Sequence, residues 1–286
     1  MINQIRPLTA LPRFKSLWRI KGQLVRAVHP KAAAYAFVLV LIGFNFYPNI
    51  HARFALATAT AFALMASSIM GAKTIIERQN DMERNRVFTV MHAPELFWFW
   101  ASISSLCLAT IIRVWYSSRA TALFCLGVWA MGLSYAYLRQ MFFLNNFVMA
   151  ACFALPILAA AVPHWRARMD QWLVAVALCL LVFIKEIYSD IHDRIIDRGY
   201  KLTFSSYNAR AYKSASMFVF LLLALLFALL LFCSHTAFRW LTPVVLILGV
   251  ANYDVFQNPD HAAKARVYID ATICLLMAAT IISQFV

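Results

Sequence analysis

From residue 32 onward the chain is a succession of long apolar stretches separated by short polar connections. The stretches run over residues 32–49, 54–76, 95–112, 120–138, 142–162, 171–189, 214–234, 237–253 and 267–286, the eighth being the shortest. Each reaches or approaches the roughly 20 apolar residues that a helix needs to cross a hydrocarbon core about 30 Å thick. None alternates with the period of a strand, and an open sheet would leave edge backbone groups unsatisfied in lipid. The pattern therefore predicts an all-α polytopic membrane bundle of nine transmembrane helices, with residues 32–286 as a single domain. Pro156 is the residue expected to interrupt a span deeply.

Residues 1–31 are different. They hold seven basic residues and no acid, the first acid of the chain being Glu77. They also carry Leu8, Leu11, Phe14, Leu17, Trp18, Ile20 and Leu24. A mitochondrial transit peptide shares the charge bias. The direct run into the first span favours a basic amphipathic segment lying on the cytoplasmic membrane surface.

Composition agrees with the pattern. Of 286 residues, 63% are hydrophobic and only 13% charged, with mean hydropathy +0.70. A soluble domain is nearer half apolar and a quarter charged, and a disordered chain is less hydrophobic still. The six cysteines all lie in apolar stretches, with no two at a CxxC spacing, so neither a disulfide framework nor a zinc site is expected.

The net charge of +14 comes from 26 basic and 12 acidic residues. With the N-terminus cytoplasmic, every basic residue falls on the inner side except Arg53, Arg113, Arg119, Arg166, Arg168 and Arg239. The excess charge is thus an expression of topology. It implies the lipid bilayer as a partner, not nucleic acid, and no protein partner.

The scarce acids are more telling. Glu77, Asp81 and Glu83 follow the second stretch, and Glu186, Asp190, Asp193 and Asp197 run off the sixth. Seven of the 12 acids thus fall in two short segments on the same predicted side. At about 100° per residue, positions 186, 190, 193 and 197 share a helical stripe about 60° wide. Carboxylates on one face repel one another, more so near lipid, unless a cation compensates. Hard carboxylate oxygens suit Mg²⁺ held jointly with substrate phosphates. Lys73, Glu77 and Asp81 repeat the geometry at i, i+4 and i+8, with Arg78, Arg84, Arg86 and Arg139 nearby. Two acidic stripes with a basic rim at a membrane surface make a diphosphate site, in which a divalent ion bridges carboxylate and phosphate oxygens.

The segment from Lys185 to Thr203 resembles the second aspartate-rich motif of the UbiA prenyltransferase superfamily. Asp190, Asp193 and Asp197 supply its acids, and Gly199 and Thr203 its close. Tyr135-x-x-x-Arg139, Asn145-Asn146 and the run from Ala154 through Pro156 resemble the family's connection between fourth and fifth helices. The first motif departs from the family pattern of Asn-Asp-x-x-Asp-x-x-x-Asp. This chain reads Lys73-Thr74-x-x-Glu77-x-x-x-Asp81, so two acids survive while Lys73 replaces the Asn and Thr74 the Asp.

The resemblance implies nine helices and a Mg²⁺-dependent intramembrane enzyme that ionises an allylic prenyl diphosphate. The carbocation would pass to an aromatic or other small-molecule acceptor, or close on its own alkene as in a terpene cyclase. It implies metal binding by Glu77, Asp81, Asp190, Asp193 and Asp197. Substrate binding would fall to Lys73, Arg78, Arg86, Tyr135, Arg139 and Lys201. Catalytic roles go to the three motif aspartates with Lys73 and Arg139, the Lys73 ammonium replacing part of a metal's charge. Phe97, Trp98, Phe99, Trp100, Phe142 and Phe143 are available to line an apolar slot for the isoprenoid tail.

An i,i+4 ion pair with Arg266 accounts for Asp270 as well as a functional role does, and Asp254, Asp260 and His261 fall in the last cytoplasmic loop, available to join the site. A membrane transporter is the non-enzyme alternative, but transporters place ionisable groups at the midplane, and here the acids sit at one face. The location implied is the inner membrane of a bacterium or an organelle membrane.

Overall fold

Nine α-helices longer than one turn run through the described residues, in the order in which the apolar stretches occur. The computed structural model describes residues 29–47, 49–76, 93–135, 138, 144–164, 167–192, 211–232 and 236–283. The helices are α1 (Pro30–Asn45), α2 (Ala52–Ile76), α3 (Ala93–Trp115), α4 (Arg119–Tyr135), α5 (Leu144–Ala154), α6 (Met169–His192), α7 (Ala211–Phe232), α8 (Thr242–Gln257) and α9 (Ala262–Ile282). No strand occurs among the described residues. The basic segment 1–28 lies outside them.

Local chemistry sets several boundaries. Pro30 opens α1, where its missing N–H costs nothing and its fixed φ suits the first turn. The fifth stretch is not one continuous helix. Pro156 cannot donate to the helix ladder, so α5 ends at Ala154 and the chain tightens into a 3₁₀ turn, Leu155–Leu158. The eighth stretch also divides, into a single turn Thr236–Arg239 and then α8, entered through Thr242-Pro243.

Among the described residues, five segments are long and apolar enough to cross a bilayer: Ala52–Ile76, Leu96–Trp115, Met169–His192, Ala211–Leu231 and Pro259–Ile282. Pro30–Asn45 and Leu144–Leu158 are apolar but shorter. The bundle also exposes what a water-soluble protein would bury. Leu221, Leu246 and Val250 are each more than 60% exposed. Such a surface requires lipid as its solvent. The chain is a multi-pass integral membrane protein.

Every helix packs on its successor, so their directions alternate; α9 returns to pack on α6 and touches α1. One apolar core lies among α1–α4, and a second among α5–α9, with Leu39 and Ile42 of α1 contributing to the second. Buried polar nodes join the helices. Ser68 on α2 bonds the Ser104 hydroxyl of α3 at 2.9 Å and receives the Trp129 indole N–H of α4 at 3.1 Å. At the opposite end, Tyr47 donates to Gln171 Oε1 at 3.0 Å, and Gln171 Nε2 donates to the Ile157 carbonyl at 2.6 Å. That carbonyl belongs to the turn forced by Pro156, so the break is satisfied by a side chain of α6.

Gly43 permits the closest approach of this turn to α1. A Cβ there would collide with the Ile157 carbonyl, which is backbone and cannot swing aside. Gly43→Ala is expected to cost about 1–3 kcal/mol, as overpacking does. Thermal unfolding in detergent would show it, and an unchanged midpoint would contradict this packing.

Candidate functional site

Alternating directions bring the ends of α2, α4 and α6 and the start of α5 to one end of the bundle, where α4 packs on α2 and α5, and α5 on α6. Lys73 lies in the last turn of α2, and Tyr135 is the last residue of α4. Lys73 Nζ donates to the Tyr135 hydroxyl at 3.2 Å and lies 5.2 Å from the centroid of its ring. The small size of Gly132, one turn before Tyr135, makes this possible. A Cβ at Gly132 would strike the Ile69 side chain, one turn before Lys73. The sequence proposes Lys73 and Tyr135 separately as diphosphate ligands; the fold makes them neighbours.

A second polar set faces the carboxylate end of α6. Asp190, in the last turn, is 6% exposed. Asn146 Nδ2 donates to Asp190 Oδ2 at 2.7 Å, and Asn145 Nδ2 donates to Asn146 Oδ1 at 3.2 Å. This relay orients both amides, and it leaves Asn145 Oδ1 buried with no hydrogen-bond partner among the described residues. Half a turn below Asp190, Tyr188 donates to Asn252 Oδ1 at 3.1 Å, and Asn252 Nδ2 donates to the Ser216 carbonyl at 2.9 Å. The clasp holds the end of α6 against α7 and α8. Asn145 and Asn146 enter the sequence reading only through a resemblance; their signal was a pair of amides at the start of an apolar stretch.

Beneath both polar sets runs a narrow cavity with an almost wholly apolar lining. Met70, three residues before Lys73, and Met149, three after Asn146, lie along it, with Phe62, Met65, Val128 and Phe153 deeper. A charged end and an apolar slot therefore adjoin, as an amphiphile with an anionic head requires.

Of the proposed site residues, Lys73, Tyr135 and Asp190 are described. Glu77, Arg78, Asp81, Arg86, Arg139, Asp193, Asp197 and Lys201 lie outside the described residues. Among the described residues no three His, Cys, Asp or Glu side chains form a metal-binding group. Five of the seven clustered acids lie outside them.

Several sequence expectations are corrected. Asp270 does not pair with Arg266. It accepts a 2.6 Å ion pair from Lys185 of α6, which ties α9 to α6. Phe97 and Trp98 do not line the slot; they are 48% and 70% exposed, and the rings at the slot are Phe62 and Phe153. Trp100 donates its indole N–H to the Ser68 carbonyl instead. Phe142 and Phe143 lie outside the described residues. Asp254, Asp260 and His261 are exposed where α8 passes into α9.

Thr74 is buried and donates its hydroxyl to the Met70 carbonyl at 2.9 Å, within its own helix. It therefore does not stand in for the carboxylate that the first motif lacks.

The Lys185–Asp270 pair sits about two turns inside the helix ends, where an unpaired charge is costly. Lys185→Ala and Asp270→Ala are each expected to lower the thermal midpoint more than the double variant does. Equal or additive losses would show that the pair is not coupled.

Comparison with known proteins bears on the whole arrangement. The family model of the UbiA prenyltransferase family matches residues 33–278. Among solved structures, a digeranylgeranylglyceryl phosphate synthase is similar at 15% identity and a TM-score of 0.70, over 93% of this chain and 99% of that one. A UbiA homolog from Archaeoglobus fulgidus, bound to GPP and Mg²⁺, is similar at 17% identity and a TM-score of 0.65, over 92% and 100% of the two chains. An apo UbiA homolog from Aeropyrum pernix K1 is similar at 15% identity and a TM-score of 0.57, over 90% and 98%. No curated protein matches the chain.

Proposed function

Because the chain belongs to the UbiA prenyltransferase family, we propose that it ionises an allylic prenyl diphosphate at the Lys73–Asp190 end of the bundle and transfers the prenyl group to an acceptor, with Mg²⁺. Membership makes it a prenyltransferase and removes the transporter alternative. The observation that carries the finer reading is the union of two polar sets, Lys73–Tyr135 and Asn145–Asn146–Asp190, above one apolar slot.

The donor set fits Mg²⁺. Asp190 offers a hard, oriented carboxylate, and Asn145 Oδ1 is a buried oxygen awaiting a partner two residues along the same relay. Asp193 and Asp197 of the same motif, and Glu77 and Asp81 of the first, would complete the set. Magnesium, when bound, supplies concentrated positive charge to the diphosphate oxygens. That a structurally similar protein was solved with GPP and Mg²⁺ supports the same pairing here.

The remaining work falls to the chain's own groups. Tyr135 holds the Lys73 ammonium at the mouth of the slot, where it donates hydrogen bonds to the diphosphate. Arg78, Arg86, Arg139 and Lys201, which lie outside the described residues, are assigned the remaining phosphate contacts on the strength of the motif resemblance alone. Heterolysis of the allylic C–O bond sends its electron pair to the departing diphosphate. The carbocation is left in the slot, where the faces of Phe62 and Phe153 each stabilise positive charge by about 0.5–2 kcal/mol. Attack by an acceptor nucleophile, followed by loss of its proton, completes transfer. The basic-residue asymmetry supports a site on the cytoplasmic side of the membrane.

Thr74 favours a second reading within the family. A first motif short of one carboxylate, and with an ammonium at its head, suits an unusual member such as a terpene cyclase, in which the substrate's own alkene captures the cation. Labelled C10, C15 and C20 diphosphates, supplied with Mg²⁺ and no acceptor, separate the two. A cyclic hydrocarbon or terpene alcohol would establish cyclisation, whereas turnover that begins only when an aromatic is added would establish transfer.

A further inference from the structure

The end of the bundle opposite Lys73 and Asp190 has a chemistry of its own. A cavity of about 760 Å³ opens there between the loop leading into α2, the end of α3 and the segment before α6. Arg53, Arg113, His51, His164, Asn49 and Ser117 supply its polar lining, and no carboxylate lines it among the described residues. Asp170 lines an adjoining cavity, together with Arg168 and Tyr47. Neither Arg53 nor Arg113 makes an ion pair among the described residues. The first turn of the 25-residue α2 carries no acid, and its entry, through His51, Ala52 and Arg53, forms part of the lining. Phe54 and Ala55 N–H groups turn back to the His51 carbonyl, at 2.9 and 3.2 Å. The N–H groups of Ala52 and Arg53 precede the first helical bonds, at the positive end of the helix dipole.

Among the described residues lysine is confined to one end. The described cations toward the catalytic end are Lys31, Lys73, Lys185, Lys213, Lys264 and Arg266. Toward the other end the described cations are Arg53, Arg113, Arg119, Arg168 and Arg239, every one an arginine. A charge that only marked the water boundary would not need the guanidinium. Its planar fork matches the oxygens of a phosphate in a way that an ammonium cannot. Trp115, Tyr116 and Trp240 are exposed at the same level, which is where aromatic side chains meet lipid head groups.

We propose that this cavity is a phosphate-binding site, made by Arg53, Arg113 and the entry to α2, that holds the phosphate of an anionic lipid head group or a free phosphate ion. The site lies a membrane's thickness from the proposed catalytic end and does not depend on that activity.

The full-length protein in detergent is the test object, with phosphatidylglycerol, phosphatidylcholine and inorganic phosphate as probes. Native mass spectrometry reads retained lipid, and thermal unfolding reads stabilisation. Wild type is expected to retain phosphatidylglycerol over phosphatidylcholine, and Arg53→Gln/Arg113→Gln to bind it roughly tenfold more weakly. Arg119→Gln/Arg239→Gln removes the same charge from the same end outside the cavity and should bind as wild type does. Stabilisation by millimolar inorganic phosphate alone, lost in the same cavity variant, would identify free phosphate as the ligand. Arg113→Gln alone serves if the double variant does not fold, with a smaller loss of the same kind. Binding unchanged in the cavity variants, equal loss in the control variant, or no probe bound by wild type would each overturn the proposal. Pyrophosphate release is expected to persist in all of these variants.

Discussion

Asp190→Ala is expected to lower pyrophosphate release from a prenyl diphosphate by about a hundredfold or more, the scale seen when a preorganised group facing developing charge is removed. Asp190 is buried in the last turn of α6 and fixed by a 2.7 Å bond from Asn146. Its carboxylate is therefore oriented before substrate or metal arrives, and no reorganisation is needed during reaction. Asp190→Asn preserves shape and packing, so it separates the charge from the fold. Both variants should lose activity, while only Asp190→Ala should also lose thermal stability, since it leaves the Asn146 amide unpaired. Asn146→Ala is expected to give an intermediate loss, about tenfold, through misorientation of Asp190. Full activity in Asp190→Asn would remove this carboxylate from the site.

Lys73 carries the second large expectation. Its ammonium stands where the family pattern has Asn, and the neighbouring Thr74 hydroxyl is committed to the Met70 carbonyl. If the ammonium takes over part of a metal's role, Lys73→Asn should weaken apparent diphosphate affinity by about 10- to 100-fold, the range for a lost charge-assisted bond. It should also raise the Mg²⁺ concentration needed for half-maximal activity. The double variant Lys73→Asn/Thr74→Asp exchanges the ammonium for a carboxylate and restores the family pattern; it should regain activity at high Mg²⁺. Tyr135→Phe keeps the ring beneath the ammonium and loses only the hydroxyl, so its effect should be smaller than that of Lys73→Asn. An unchanged affinity and Mg²⁺ requirement in Lys73→Asn, or a higher activity, would show that Lys73 is no part of the diphosphate site.

Apolar run length made the helices legible from sequence, because the bilayer imposes a length and forbids unpaired backbone. Pro156 was equally legible as a break, although not the 3₁₀ turn that follows it or the Gln171 side chain that satisfies it. Helix faces were the harder matter. Phe97 and Trp98 look like slot residues because they are aromatic and near the motif, but α3 turns them outward. In a membrane the outward face is apolar as well, so hydrophobic periodicity does not distinguish core from lipid. Long-range partners were hidden for a different reason. Arg266 is a natural partner for Asp270 within one helix, and nothing in a single sequence points to Lys185, 85 positions away. The Asn146–Asp190 bond, across 44 positions, was hidden in the same way. The acidic stripe needed no knowledge of neighbours to be proposed, since it is a pattern of charge along one helix face; of its proposed metal ligands only Asp190 is described.

Pyrophosphate release by the purified full-length protein, from labelled C10, C15 and C20 allylic diphosphates with and without Mg²⁺, tests the proposed chemistry most directly. A screen of aromatic acceptors in parallel guards against a strict requirement for one. Release that depends on Mg²⁺, and is abolished in Asp193→Ala and Asp197→Ala variants that still insert and fold, is expected. Release that persists in both variants, or that is indifferent to chelation of the metal, would contradict a metal-assisted ionisation at this end of the bundle.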